Sequence, residues 1–304
     1  MTVSLFAIFA VVFALVALVM LLDPLRLSRR LRHTGATRVI IVATAVILAV
    51  IDVYRAALPG TATGPLQMAV FTLNMVALAG IPFVLDAQRI TARPTRLPRR
   101  ILAVGAHPDD LEIACGGTLA KFVDSGDEVH GMVMSGGGRG GDGCARPGEA
   151  LAAAQFVRLT SLSVLGLPDT ELPDHQQTMV EAIETTLARL NADIVLTHSI
   201  NDVHQDHQAV YLATVRAARN HPAILSYESP SVTEHFVPRW FVDIDQYIDV
   251  KVAAVMAHRD QASKPYLSKK HLRAVAVVRG AQARIRYAEG FEVVRLLDTR
   301  AVEL

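Results

Sequence analysis

Two short segments, far apart in the chain, concentrate the side chains that do chemistry: Gly105-Ala106-His107-Pro108-Asp109-Asp110, and His198-Ser199-Ile200-Asn201-Asp202-Val203-His204-Gln205-Asp206-His207. Imidazole and carboxylate together suit zinc, and two His with one carboxylate leave a fourth position open to water, the arrangement of a hydrolytic rather than a structural site. Pro108 stiffens its turn. Asp109 and Asp110 are adjacent and cannot both turn the same way, so one could ligate a metal while the other meets the water. His204 and His207 stand three apart, on one face of a helix that includes both. One could ligate and the other transfer a proton, with Asp206 between them. Most of the eleven histidines, among them His33, His130, His175, His221, His235 and His271, read as packing or surface residues.

These segments need elements that aim them. Ile101 to Val104, Val129 to Met134, Ser163 to Leu165 and Ile194 to Thr197 are short apolar runs, separated by helical periodicity in Ala150 to Leu159 and Met179 to Leu190. Strand alternating with helix predicts a doubly wound, mostly parallel α/β sheet, with ligands bound beyond the carboxyl ends of the strands. Both motifs follow such strand ends. Phe291 to Leu297 alternates as a further strand. The Gly-rich Ser135 to Gly143 reads as a lid or a mobile connection and lacks the GxxxxGK[ST] phosphate-loop pattern.

The 304 residues are 51% hydrophobic and only 19% charged, with a mean hydropathy of +0.32, against about a quarter charged in a soluble domain. The excess lies in three stretches, Val3 to Leu22, Val39 to Leu58 and Leu66 to Leu85, each near the ~20 residues that a spanning helix needs. Met1-Thr2 before so long a run does not resemble a cleaved signal peptide. Asp52 and Arg55 are expected to reach the interface from one end of the second stretch. Arg26, Arg29, Arg30, Arg32 and Arg38 follow the first stretch, and Arg89, Arg93, Arg96, Arg99 and Arg100 follow the third. The positive-inside rule makes that side cytoplasmic, in a multi-pass protein of the cell membrane with its catalytic part facing the cytoplasm. The expected organisation is a three-helix membrane region over 1–88, an Arg/Pro-rich linker over 89–100 that touches lipid headgroups, and a catalytic domain over 101–304. A net charge of +1 gives no field for nucleic acid, and Cys115 and Cys144 form no disulfide framework.

The AHPDD motif followed by HxDH resembles the LmbE/PIG-L family of zinc-dependent N-acetylglucosaminyl deacetylases. Arg146-Pro-Gly-Glu149, Leu167-Pro-Asp169, Thr197-His198-Ser199, Tyr227-Glu228-Ser229-Pro230-Ser231, Phe241-Val242-Asp243-Ile244, Lys251, His258 with Gln261, and Tyr287-Ala-Glu289-Gly-Phe extend the likeness over about residues 101 to 296. The resemblance implies His107, Asp110 and His207 as zinc ligands, with one zinc per chain and Fe2+ compatible with the same set. It implies Asp109 as general base on the water. His204, oriented by Asp206, would stabilise the oxyanion or protonate the leaving amine, and Arg146 and Asp169 would touch the sugar, the alternative for Arg146 being a pairing with Glu149 or another carboxylate that holds the fold. His198, Lys251, His258 and Gln261 would act directly or support the site through hydrogen bonds. The implied reaction is removal of acetate from an N-acetylglucosamine-like conjugate, lipid-linked in one version. A glucosamine-derived thiol, a glycosylated natural product, or sugar binding without turnover are the alternatives.

Overall fold

The structure, a computed structural model of the chain, describes residues 3–57, 64–95 and 97–297. Met1 and Thr2, Leu58 of the second apolar stretch, Arg96 of the linker, and residues 298–304 lie outside the described residues. The chain divides into two compact units, Met1–Thr91 and Ala92–Leu304.

The second unit is built on seven strands: β1 (Arg100–Gly105), β2 (Glu128–Ser135), β3 (Ser161–Leu167), β4 (Ile194–Thr197), β5 (Ala223–Tyr227), β6 (Trp240–Asp243) and β7 (Ala288–Leu296). They lie in the order β3-β2-β1-β4-β5-β7-β6. The first five are parallel, and β7 joins β5 and β6 antiparallel. Four of the strands contain the apolar runs read from the sequence. The short β5 and β6 were not foreseen. Ile101 to Val104 are fully buried, as befits a parallel strand covered by helices on both faces.

The helices are α5 (Asp110–Asp124), α6 (Arg146–Val157), α7 (Gln176–Leu190), α8 (Gln205–Ala217), α9 (Ile248–Val255) and α10 (Lys269–Ala283). Met179, Ile183, Leu187 and Leu190 form the buried stripe of α7. They pack with Leu102, Met132, Val195, Val210 and Ile224 in one cluster, the i, i+4 spacing that one helix face demands. From β1 the chain winds outward through β2 to β3, then returns so that β4 pairs with β1 on its other side. The winding direction therefore reverses between β1 and β4, where the carboxyl ends of neighbouring strands diverge and leave a crevice. Both motifs follow these two strands.

The first unit holds α1 (Val3–Leu22), α2 (Pro24–Ser28), α3 (Thr34–Ala57) and α4 (Gly64–Ala87). Among the described residues, three helices, Leu5–Leu22, Thr34–Ala57 and Gly64–Ala87, are long and apolar enough to cross a membrane. Phe9, Phe13 and Ala17 pack with Ala45 and Leu48. A bridge between Leu31 and Arg89 ties the α1–α3 connection to the end of α4, so Arg89 meets the Arg-rich α1–α3 connection at one end of the bundle. Asp52 corrects an expectation: it does not reach an interface but is fully buried, accepting a 2.8 Å hydrogen bond from Asn74 Nδ2. The cause is helical period, since Thr37, Ile41, Ala45, Leu48, Asp52 and Arg55 share the buried face of α3.

Two glycines test the packing. A Cβ on Gly280 would stand 2.6 Å from Arg286 O, which as backbone cannot move aside, so Gly280→Ala should destabilise by about 1–3 kcal/mol. Gly148 has nothing within 4 Å of such a Cβ and lies within α6, so Gly148→Ala should gain roughly 0.5–1 kcal/mol. Thermal melting of the two full-length variants should show midpoints moving in opposite directions.

Candidate metal centre

Asp110 opens α5, and its Oδ2 accepts from Ala106 N at 2.9 Å and His107 N at 2.7 Å. These bonds close the turn after β1 on its own carboxylate and carry His107 over the crevice. After β4, Asp202 Oδ1 accepts from His204 N at 2.8 Å, and His204 Nδ1 accepts from Asp206 N at 3.2 Å, making His204 the N-cap of α8. The first turn of that helix then delivers Asp206 and His207.

Three side chains converge. His107 Nδ1 lies 3.3 Å from His207 Nε2 and 3.5 Å from Asp110 Oδ2, and His207 Nε2 lies 3.5 Å from Asp110 Oδ1. A tetrahedral ion with bonds of roughly 2.0–2.2 Å to nitrogen and oxygen holds its donors about 3.3–3.6 Å apart. The outer nitrogens of both rings are occupied. His207 Nδ1 bonds Asp202 Oδ2 at 2.8 Å, and His107 Nε2 lies 3.1 Å from Asp169 Oδ1 and 3.3 Å from Asp206 Oδ2. A carboxylate behind each imidazole keeps the proton on the outer nitrogen and aims the inner lone pair, the arrangement that backs metal-bound histidines. The donor set thus fits a divalent cation such as zinc. Overlapping clusters add further donors, with His204 beside His107 and His207, and His198 beside Asp110 and His207.

Charge follows the geometry. Burial alone would lower His207, but Asp110 and Asp202 push it up to about 9. Burial also opposes protonation of His107, yet Asp110, Asp169 and Asp206 hold it well above the ordinary histidine value. Burial works against the charged form of Asp202 too, and its bonds to His207 and Ser229 overcome this, holding it well below the usual carboxylate range. His198 goes the other way, down to about 4, through burial and the neighbouring His207. His204 is lowered by burial and by His207 and His107. The carboxylates around this pair of rings act as a trap for positive charge.

Several expected roles shift. Asp206 does not turn its carboxylate to His204: it accepts from Thr170 N at 2.8 Å and Leu172 N at 3.3 Å and meets His107. The reason is helical direction, since the first turn of α8 points this side chain toward the loop after β3, and only its backbone amide faces His204. Arg146 and Asp169 line the same cavity of about 310 Å³ as His107, Asp109, His204 and His207, and both also bond within the protein. Arg146 donates to Asp109 Oδ1 at 2.9 Å and to Gly137 O at 2.6 Å. Asp169 Oδ2 accepts from Arg139 N at 2.7 Å and Gly140 N at 3.3 Å. The Gly-rich loop is therefore a tethered wall rather than a lid. Gln261 donates to Gly140 O at 3.3 Å, and His258 bonds Glu112 at 3.1 Å.

Asp202, Ser229 and Ser231 were not assigned roles from the sequence. Ser229 Oγ and Ser231 Oγ both donate to the Asp202 carboxylate, the latter at 2.7 Å. The signal was the position of Asp202, five residues before His207 in a loop that must turn back on itself, and the SPS motif itself. The prediction is that Asp202→Asn lowers zinc affinity about 10–100-fold, read by titration against a competing chelator. The fold should persist, because the Asn carbonyl can still accept from one serine hydroxyl and the other hydroxyl can turn to accept from its NH2.

Residues 102–218 match the family model described as PIG-L: GlcNAc-PI de-N-acetylase. An uncharacterized deacetylase, YaiS, of Escherichia coli (strain K12) is 34% identical over 183 residues, 58% of this chain and 98% of that protein. The diacetylchitobiose deacetylase of Thermococcus kodakarensis is 27% identical over 223 residues, 64% of this chain and 83% of its own. A 4-oxalmesaconate hydratase of Pseudomonas putida is also 27% identical, over 64% of this chain and 88% of its own. Among solved structures, N,N'-diacetylchitobiose deacetylase from Pyrococcus horikoshii shares the fold, with a TM-score of 0.58 at 22% identity over 66% of this chain and 85% of that one. With its two motifs after β1 and β4, this chain belongs to the PIG-L/LmbE deacetylase family.

Proposed function

We propose that the protein is a zinc-dependent N-deacetylase that hydrolyses the acetamide of an N-acetylglucosamine-like conjugate to acetate and a free amine. The observation that carries this reading is the convergence of His107 Nδ1 and His207 Nε2, 3.3 Å apart, on the Asp110 carboxylate, with each ring 3.5 Å from a different one of its two oxygens, beside Asp109. The names of the family and of its sugar-deacetylating relative support the substrate class.

His107, Asp110 and His207 would hold the ion, which when bound supplies Lewis acidity toward a carbonyl oxygen and toward water. Arg146 fixes one oxygen of Asp109, so its carboxylate stands in the cavity in a single orientation and takes the proton of the attacking water. His204 accepts the Asp206 amide at Nδ1, which leaves Nε2–H as the donor of a neutral ring. A neutral donor suits the carbonyl oxygen as it gains charge. The C–N bond then breaks, and the amine leaves with the proton that Asp109 collected. Neither cysteine is required: Cys115 is buried, and burial pushes its thiol well up.

Asp109→Ala should lower acetate release about 10²–10⁴-fold while zinc content stays at one per chain by elemental analysis. Equal turnover in variant and wild type would remove Asp109 as the base. Hydration of a carboxylated alkene without acetate release from any N-acetylated sugar would replace the deacetylase reading by that of the Pseudomonas relative.

We also propose that the three apolar helices span the cell membrane with the second unit in the cytoplasm, on the strength of the clustered arginines. Cys144 is exposed and Cys115 buried. A membrane-impermeant maleimide should therefore label Cys144 in inverted vesicles and leave it unlabelled in intact cells, and the opposite pattern would reverse the orientation.

A further inference from the structure

Helix α5, which carries Asp110 and starts directly after Asp109, is broken within. Cys115 departs from helical geometry at φ −136°, ψ 19°, leaving Asp110 to Ala114 as a single turn before the break. One turn has no stability of its own, because nucleation fixes several residues for one hydrogen bond. Its direction must come from outside.

An ion pair supplies it from two other elements. Glu289 of β7 accepts from Gly117 N at 3.1 Å and Thr118 N at 2.6 Å, the amides just after the break. Lys251 of α9 donates to Ala114 O, just before it, at 3.2 Å, and to Glu289 Oε1 at 2.5 Å. Lys251 is 5% and Glu289 4% exposed. A carboxylate at the start of the second half and an ammonium at the end of the first are the signs that the dipoles of two helices favour. At Gly117 the helix also packs against Ile244, where an added Cβ would stand 3.0 Å from Ile244 Cδ1. Burying both charges is costly, and an apolar pair could fill the same space more cheaply.

We propose that Lys251 and Glu289 form a positioning clamp that caps both halves of α5 at its break and thereby sets the aim of Asp109 and Asp110. The two residues touch neither substrate nor ion; they act through the turn between them. The inference rests on the deacetylase reading only for the roles of those two aspartates.

The test uses the full chain with a neutral double variant, Lys251→Met/Glu289→Gln, and a swapped one, Lys251→Glu/Glu289→Lys, which keeps an ion pair but sets each charge against the wrong helix end. The neutral variant is expected to lose zinc affinity about 10-fold or more against a chelator, on the scale of support lost behind a ligand. Its kcat should fall by a similar factor while KM stays within about threefold, as when only transition-state alignment suffers. The swapped variant should not rescue either property, whereas Lys251→Arg should restore most of both. Zinc affinity and kcat at wild-type levels in the neutral or swapped variant would overturn the clamp, leaving a structural ion pair. Hydrogen exchange in the wild-type chain provides a check independent of variant folding: amides 116–118 should be strongly protected, and exchange as fast as that of residues 140–143 would overturn the proposal. Absence of zinc binding or acetate release in the wild type would instead defeat the functional reading and leave the exchange result standing.

Discussion

Two imidazole nitrogens facing each other at 3.3 Å, with a carboxylate alongside, constitute an unstable arrangement unless something positive lies between them. Lone pairs repel at that separation, and the outer nitrogens are already committed to Asp202 on one ring and to Asp169 and Asp206 on the other. A proton or a divalent cation must therefore occupy the centre. Much of the surrounding structure maintains this condition: the turn closed by Asp110, the serines behind Asp202, and the loop after β3 that meets Asp206 through backbone amides. Each carboxylate is itself held by donors, so the histidines cannot escape by rotating their partners.

The sheet makes the convergence possible because β1 and β4 are neighbours although β2 and β3 intervene in sequence. A reversal of winding separates the helices that follow these two strands, opening a crevice that neither strand could make alone. What closes the crevice is as specific as what opens it. Arg146 joins Asp109 to the carbonyl of Gly137, and Asp169 joins His107 to the amides of Arg139 and Gly140. The wall beside the cavity and the residues of the cavity itself are thus one hydrogen-bonded structure, and a disturbance in the Gly-rich loop is felt at Asp109 and at His107.

In the helical unit the same rule governs polar groups in an apolar setting. Asp52 and Asn74 lie inside the bundle, where Asn74 Nδ2 donates to Asp52 Oδ1, because a buried polar group without a hydrogen bond is costly. This bond links α3 to α4 with a direction that apolar contacts lack.

Residue type and strand-end position alone marked His107, Asp109, Asp110, His204 and His207, because few other roles would gather imidazole and carboxylate so densely at predicted strand ends. The apolar stretches were equally plain, and so were four strands and the stripe of α7, since all of these depend on local period. Partnership was not legible. That Asp206 meets His107, that Asp109 is the carboxylate Arg146 pairs with, and that Asp52 turns inward were decided only when distant segments packed. A sequence lists which donors and acceptors exist, but a hydrogen bond of 3 Å is selected by the relative placement of whole helices and strands, and that placement is settled by the core rather than by the residues it brings together.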